Sequence, residues 1–342
     1  MSKKQIPIPF FIPHQGCPRR CAFCAQWKTS GAVKLPAPED IPGTVARYRE
    51  SAPATVTRFE TAFFGGSFTG LRRDLQAAYL EQARAIKQQG LLHAIRLSTR
   101  PDYIDKEIIS FLREFSVDTV ELGAQSFHDE ILERANRGHN AADTFRASEL
   151  IKKAGLNLVI QLMPGLPGDS RERSLASAKK ALALEPAAVR LYPTVVLAGT
   201  ELEKMMNKGS FTPLSLEQAV EWSADQFTLF HEADIPVIRI GLHPVTPEEE
   251  HQVVAGPYST SLGFQVRSRY RRRLLEGTLE KAPDLSSAEA LCITVPEKLL
   301  PEYIGHRRDN IRYLEKKFTL AKLRIHPSKE RDISLSTADH WR

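Results

Sequence analysis

Three of the four cysteines fall within eight residues: Cys17, Cys21 and Cys24, in HQGCPRRCAFCAQ. An odd number of thiols at such tight spacing, without a secretion signal, argues against a disulfide framework. Structural zinc takes four ligands, and His14, the nearest histidine, precedes the triplet by three and has no partner histidine. A C-x3-C-x2-C loop suits a [4Fe-4S] cube with one iron left unligated by protein, a position where a small molecule can bind. The bland alternative is three buried structural thiols. Cys292, amid the apolar ALCITV, reads as a core thiol.

With Phe23 immediately before the third cysteine, this loop resembles that of the radical S-adenosylmethionine (SAM) enzymes. The resemblance implies that Cys17, Cys21 and Cys24 hold the cluster and that the amine and carboxylate of SAM chelate the open iron. It further implies reductive cleavage of SAM to methionine and a 5′-deoxyadenosyl radical, with an electron donor such as flavodoxin or ferredoxin. In such a protein the cofactors carry the hard chemistry, and the chain supplies orientation and exclusion of water.

Further motifs follow at intervals. FFGGSFTG (63–70) pairs glycines, which let backbone approach a ligand, with hydroxyls. Its place after the cysteine loop matches the segment that binds the SAM amine in the superfamily, which makes Gly65, Gly66 and Ser67 cofactor contacts. LSTRPDYID puts Ser98 where relatives more often carry an acid, so a contact there lacks the usual negative charge. Arg100 and Asp102 read as a turn and helix cap. In VELGAQSFHDEILERANRGH (120–139), Gln125 offers an amide and Arg137 a guanidinium suited to a carboxylate.

The GAQSF…NRGH string resembles the Elongator catalytic subunit and, more distantly, oxygen-independent coproporphyrinogen oxidase. From the latter, SAM-binding roles carry to Gln125 and Arg137, and His139 is a weaker candidate. Gln161, in QLMPGLPGD, replaces an aspartate of the oxidase family and still offers an amide to ribose hydroxyls. STRPDY and VRLYPTVVLAGTEL extend the Elongator resemblance over about residues 90–202. Two departures matter: that subunit spaces its first two cysteines more widely, and it carries an acetyltransferase domain. Residues 246–342 lack a glycine-rich pyrophosphate loop, so an acetyl-transfer activity is not expected in this chain.

Elements that would position these motifs alternate along the chain. Strand-like runs at Ile6–Ile12, Phe59–Phe64, Ala94–Ser98, Thr119–Gly123, Asn157–Met163, Val189–Tyr192 and Val237–Ile240 are separated by amphipathic segments near 42–51, 72–90, 105–116, 128–136, 143–155, 170–184 and 215–233. Successive β-α units predict an α/β fold with a parallel sheet, open or closed. The radical SAM resemblance implies a partial (β/α)6 barrel over 1–245, its cluster loop at 14–26. TPEEEHQVVAGP (246–257) reads as a turn-rich linker to a small basic α+β domain, 246–342, as a platform for RNA or another substrate.

Of 342 residues, 42% are hydrophobic and 26% charged, which excludes disorder or fibrous repeats as the main architecture. No apolar run reaches membrane-spanning length, and the MSKK start lacks a signal peptide, so a cytoplasmic protein is expected. The net charge of +6 sits in residues 256–342, with 17 Lys and Arg against 11 Asp and Glu. VRSRYRRRLLE (266–276) packs five arginines into seven positions, a helix that tracks phosphates beside Tyr258 and Tyr270 or is merely solvated. The expected function is radical SAM chemistry on RNA, with tRNA as the candidate. The alternatives are oxidation or decarboxylation of a small molecule of the porphyrin type, or a non-catalytic Fe–S protein.

Overall fold

The computed structural model describes residues 4–12, 17, 20–25, 35–243, 251–281, 291–330 and 333–337. His14 and the acids Glu248–Glu250 of the expected linker lie outside these. The first part of the chain alternates as β1 (Lys4–Ile12), α1 (Asp40–Ser51), β2 (Val56–Gly65), α2 (Arg73–Gln88), β3 (Ala94–Thr99), α3 (Lys106–Glu114), β4 (Thr119–Gln125), α4 (Asp129–Arg134), α5 (Ala141–Lys153), β5 (Asn157–Leu162), α6 (Arg171–Leu182) and β6 (Ala188–Leu191). After a two-residue strand β7 (Val196–Leu197) come α7 (Glu201–Asn207), α8 (Leu216–Glu232) and β8 (Val237–Ile240).

Seven of these strands form one sheet in the order β1-β2-β3-β4-β5-β6-β8, every neighbouring pair parallel. A doubly wound sheet reverses its strand order at a switch point; this one never does. Right-handed crossovers that all run one way place every helix on the same face, and the twisted sheet curls away from them into a half-barrel. Alternation along the strands supplies the two faces. Ile8, Phe10, Phe59, Phe63, Ile95, Leu97, Val120, Leu122, Ile160 and Leu191 join the core beneath the helices. The intervening residues, among them Glu60, Arg96, Glu121, Gln161 and Arg190, face the hollow side.

Polar side chains fix the helix starts. Asn140 and Ser215 form capping boxes with Asp143 and Gln218, satisfying amides that have no partner within the helix. The helix after the third strand is capped by Asp105, whose carboxylate accepts from the Ile108 amide at 2.8 Å. Asp102, expected in that role, instead pairs with Arg100.

Beyond the barrel lie β9 (Val253–Ala255), α9 (Leu262–Glu280), β10 (Leu291–Pro296), α10 (Leu300–Ile304), α11 (Asp309–Lys317), β11 (Leu323–Ser328) and β12 (Ser334–Thr337). The expected linker includes a strand: β9 pairs antiparallel with β7, an apolar Val-Val-Ala run meeting Val-Leu. A second sheet, β11-β10-β12, is mixed, and Cys292 is fully buried on its central strand. Helix α9 packs its first half, through Leu262, Val266 and Tyr270, on Val220, Ala224 and Phe227 of α8. Its second half, through Leu275 and Leu279, joins the core of the smaller sheet. No helix among the described residues is long and apolar enough to cross a membrane.

Candidate active site at the carboxyl end of the half-barrel

The cysteine loop follows β1, and its described residues are held by bonds to other segments beside the one turn bond from the Cys24 amide to the Cys21 carbonyl (3.0 Å). The Ala22 amide donates to the Ala135 carbonyl (2.9 Å), the Ala22 carbonyl accepts from Leu202 (2.8 Å), and Asn136 Nδ2 donates to the Arg20 carbonyl (2.8 Å). Phe23 packs against two clusters, Ile131–Ala135–Leu166 and Val196–Leu202–Phe211. These ties tie the loop to the segments that follow α4 and β6. None of the three cysteines is in a disulfide; Cys21 is buried and the other two are part-exposed.

Arg137 is the principal bridge to that loop. Only 6% exposed, it donates Nη1 to Cys21 Sγ at 3.3 Å and Nη2 to the Gly123 carbonyl at 2.7 Å, while Nε is buried with no partner among the described residues. A Cβ at Gly123 would lie 2.8 Å from Gln125 Nε2 and 3.4 Å from Arg137 Nη2, so glycine leaves room for both side-chain ends in their present positions. Gln125 itself holds a left-handed backbone (φ +67°), a cost of order 1–3 kcal/mol for a non-glycine residue that surrounding contacts must offset. Its carbonyl accepts from the Met163 amide at 2.9 Å, and its Oε1 from Gln161 Nε2 at 3.2 Å. Gln125, Arg137 and Gln161 are thus brought together as one polar group.

The glycine loop is built differently from expectation at one residue. Gly65 (φ +115°) needs to be glycine, because a Cβ there would overlap the Ile12 carbonyl, and the Gly66 amide donates to that same carbonyl at 2.8 Å. Both adjoin the end of β1, where the cysteine loop begins. Ser67, however, is 1% exposed. Its Oγ lies 2.7 Å from Thr99 Oγ1 and accepts from the Arg100 amide at 3.2 Å, so it is spent fastening β2 to β3. Its hydroxyl positions the loop. Ser98, part-exposed on the hollow face, makes no side-chain hydrogen bond among the described residues.

Two residues have a larger place than their sequence context suggested. Arg100, 3% exposed, forms a two-point pair with Asp102 (2.9 and 2.8 Å), and its Nη1 is buried without a partner among the described residues. Burial opposes its charge, but Asp102, followed by Cys17 and Cys21, raises its pKa nonetheless. His139 is buried, with Nε2 3.3 Å from the Ala124 carbonyl and Nδ1 unpartnered among the described residues. Burial and then the Arg137 charge push its pKa down to about 4, so it is neutral near pH 7.

The donor set fits an anionic thiolate-ligated cluster with a carboxylate-bearing ligand: three thiols outside any disulfide, two buried guanidinium groups beside them, and on each guanidinium an N–H unsatisfied among the described residues. Among the described residues no three Cys, His, Asp or Glu side chains converge as they would on a single metal ion.

The expected phosphate-tracking helix is occupied otherwise. Arg267 and Arg271 pair with Glu302 (2.6 and 3.4 Å), Arg269 with Glu217 and Glu221, Arg273 with Glu221 and Asp225 (2.5 and 2.9 Å). Arg272 lies 3.5 Å from Glu221 and over the Tyr313 ring. These arginines join α9 to α8 and α10 rather than presenting free charge, because the facing helices carry carboxylates at matching positions.

Comparison with known proteins agrees with the fold and loop. The radical SAM superfamily pattern matches residues 11–181, half of the chain, and a radical SAM C-terminal domain matches 186–272. The chain belongs to the radical SAM superfamily and is an enzyme of that class. Over 147 residues it is 37% identical to a tRNA uridine(34) acetyltransferase of Methanocaldococcus infernus, an alignment covering 42% of this chain and 28% of that protein. An uncharacterized protein of Methanocaldococcus jannaschii is 29% identical over 234 residues, 65% of this chain and 70% of its own length. The solved structure of M. infernus Elp3 lacking its N-terminus superposes with a TM-score of 0.64 at 23% identity, over 79% of this chain and 63% of that one. The chain thus spans little more than a quarter of the length of the tRNA acetyltransferase it matches.

Proposed function

We propose that this enzyme binds a [4Fe-4S] cluster through Cys17, Cys21 and Cys24, cleaves SAM reductively at it, and acts on RNA, specifically tRNA. The observation that carries the reading is the meeting of Cys21, Arg137, Gln125 and Gln161 at the carboxyl end of a curled parallel sheet. When bound, cluster and SAM together supply a primary carbon radical that takes a hydrogen atom from the substrate.

The chain's own part is binding and orientation. Arg137 offers its unpartnered Nε to the SAM carboxylate while holding Cys21 in place. Gly65 and Gly66 bring backbone close to the amine, Ser98 faces the same side, and the Gln125–Gln161 pair offers amide groups to the ribose. Phe23, Met163 and Phe211 close off water below the loop. A small electron-transfer protein of the flavodoxin or ferredoxin kind supplies the electron, in the cytoplasm. The tRNA assignment is supported by the named activity of the M. infernus relative over 147 shared residues.

The test is anaerobic reconstitution with iron and sulfide, then dithionite and SAM with or without bulk tRNA, assayed for 5′-deoxyadenosine. Formation of the nucleoside, raised by tRNA, is expected. A protein loaded with about four irons that makes none under either condition would overturn the reading.

A further inference from the structure

The hollow face of the half-barrel holds more guanidinium than carboxylate below the candidate SAM site. Glu60 takes Arg96 (3.0 Å), and Glu121 takes Arg190 (3.1 Å), with Arg96 a further 3.9 Å from it. Arg239 on β8 is the register partner of Arg190 on β6 and therefore shares its face. No ion pair involves it among the described residues. It donates Nε to the Gly241 carbonyl (3.0 Å) and one terminal nitrogen to the Leu242 carbonyl (2.6 Å), so only carbonyl dipoles offset its charge. Tyr192, two residues beyond Arg190, accepts from Arg190 Nη1 at 3.0 Å. Its own O–H has no acceptor among the described residues, and burial keeps that proton on. His243, just past β8, is held below the ordinary histidine value by partial burial, then by Arg239 and Arg190, as an uncompensated positive field would do.

We propose that Arg239, Arg190 and Tyr192 form an oxyanion seat on the inner wall of the half-barrel, which takes a phosphate or carboxylate group of the substrate. Gln161 is the register partner of Arg190 on its other side, so the seat adjoins the polar group assigned above to the SAM ribose. The inference rests on that assignment for the seat's purpose, though not for its chemistry. Two adjacent guanidinium groups, which carry no acceptor, and a phenol whose oxygen already accepts from Arg190 and whose O–H is left to donate select an oxyanion over a neutral group. Glu121 already neutralises Arg190, which leaves Arg239 as the residue whose loss empties the seat without orphaning a carboxylate.

The experiment is calorimetric titration of the reconstituted enzyme with uridine 5′-monophosphate, with malonate and with uridine as the neutral control. At least one anion is expected to bind more tightly than uridine. Arg239→Gln should weaken that anion at least tenfold and Tyr192→Phe severalfold, with SAM affinity unchanged in both. Uridine 5′-monophosphate alone binding identifies a nucleotide phosphate as the source, and malonate alone a carboxylate; either supports the seat. The proposal is overturned if neither anion outbinds uridine, if Arg239→Gln binds like the wild type with Tyr192→Phe equally unaffected, or if SAM affinity falls by the same factor. Absence of 5′-deoxyadenosine with anion binding intact would instead sink the SAM assignment.

Discussion

Arg137 and Cys21 are joined across 116 positions of chain by a bond of 3.3 Å from Nη1 to Sγ. The same guanidinium holds the Gly123 carbonyl at the end of β4, so this side chain links the cysteine loop directly to the barrel rim. Lysine has the charge but not the planar fork needed to serve both partners. Arg137→Gln should therefore weaken SAM binding by roughly 10- to 100-fold, the worth of a charge-assisted bond, and Arg137→Lys should recover only part of it. Calorimetry with SAM on reconstituted protein checks this. Wild-type affinity in Arg137→Gln, at normal iron content, would remove the residue from the SAM site.

The four cysteines should separate cleanly. Alanine at Cys17, Cys21 or Cys24 is expected to abolish 5′-deoxyadenosine formation and cluster loading. Alanine at Cys292 should leave iron content unchanged, costing only about 1 kcal/mol for a small buried cavity. Iron and sulfide analysis of the four variants decides the matter.

Glu121 is 2% exposed and stands between Arg190 and Arg96. Burial pushes its pKa up, and the two arginines draw it back. Removing one partner of such a buried group strands the others, a loss of about 3–5 kcal/mol. Glu121→Ala should show that loss in urea unfolding, and Glu121→Gln a smaller one. An alanine variant within about 1 kcal/mol of wild type would mean that water already screens the pair.

Titration of His139 gives a signed pH effect. Its folded pKa, about 4, lies below the ordinary 6.5, so the unfolded chain binds more protons between those values. Its contribution to stability is full above pH 6.5 and is lost as pH falls toward 4. Asp169, raised by burial to about 6 against the pull of the Gly165 and Ser170 amides, acts oppositely over pH 4–6. The informative quantity is therefore the difference between wild type and His139→Gln. That difference should move against the wild type by on the order of 2 kcal/mol between pH 7 and 4.5. A pH-independent difference would show the imidazole to be solvated.

For RNA, the ion pairs of α9 make a definite forecast. Arg271→Ala and Arg273→Ala should change tRNA affinity and its salt slope by less than about one phosphate contact, while lowering thermal stability. A large fall in both affinity and slope, measured by filter binding across salt, would show that nucleic acid displaces Glu302, Glu221 and Asp225.

The strands were legible because their apolar positions alternate on a surface buried on one face, and the cysteine spacing is chemically narrow. Whether the sheet closes was not legible from periodicity, since helices on one face or both leave the same pattern; strand order decides it. Gln125, Arg137 and Gln161 converge as the strand-end motifs suggested. That the Ser67 hydroxyl pairs with Thr99 was not legible, because a hydroxyl in a sequence carries no sign of which neighbour will claim it, and Thr99 stands 32 residues away. Arg190 and Arg239 passed unnoticed for a similar reason: a lone arginine in a strand looks like surface until register places it on the hollow side. The basic run was misleading in the opposite sense, its carboxylate partners being spread over Glu217, Glu221, Asp225 and Glu302.

Helix α9 contributes to two cores at once, Val266 and Tyr270 to one and Leu275 and Leu279 to the other. A chain cut after residue 245 would bare Val220, Ala224 and Phe227 to water. The smaller sheet therefore cannot be exchanged like a cassette between proteins of this kind: heating should melt both parts in one transition, and any change of partner at the far end is felt as a change in the stability of the reaction chamber.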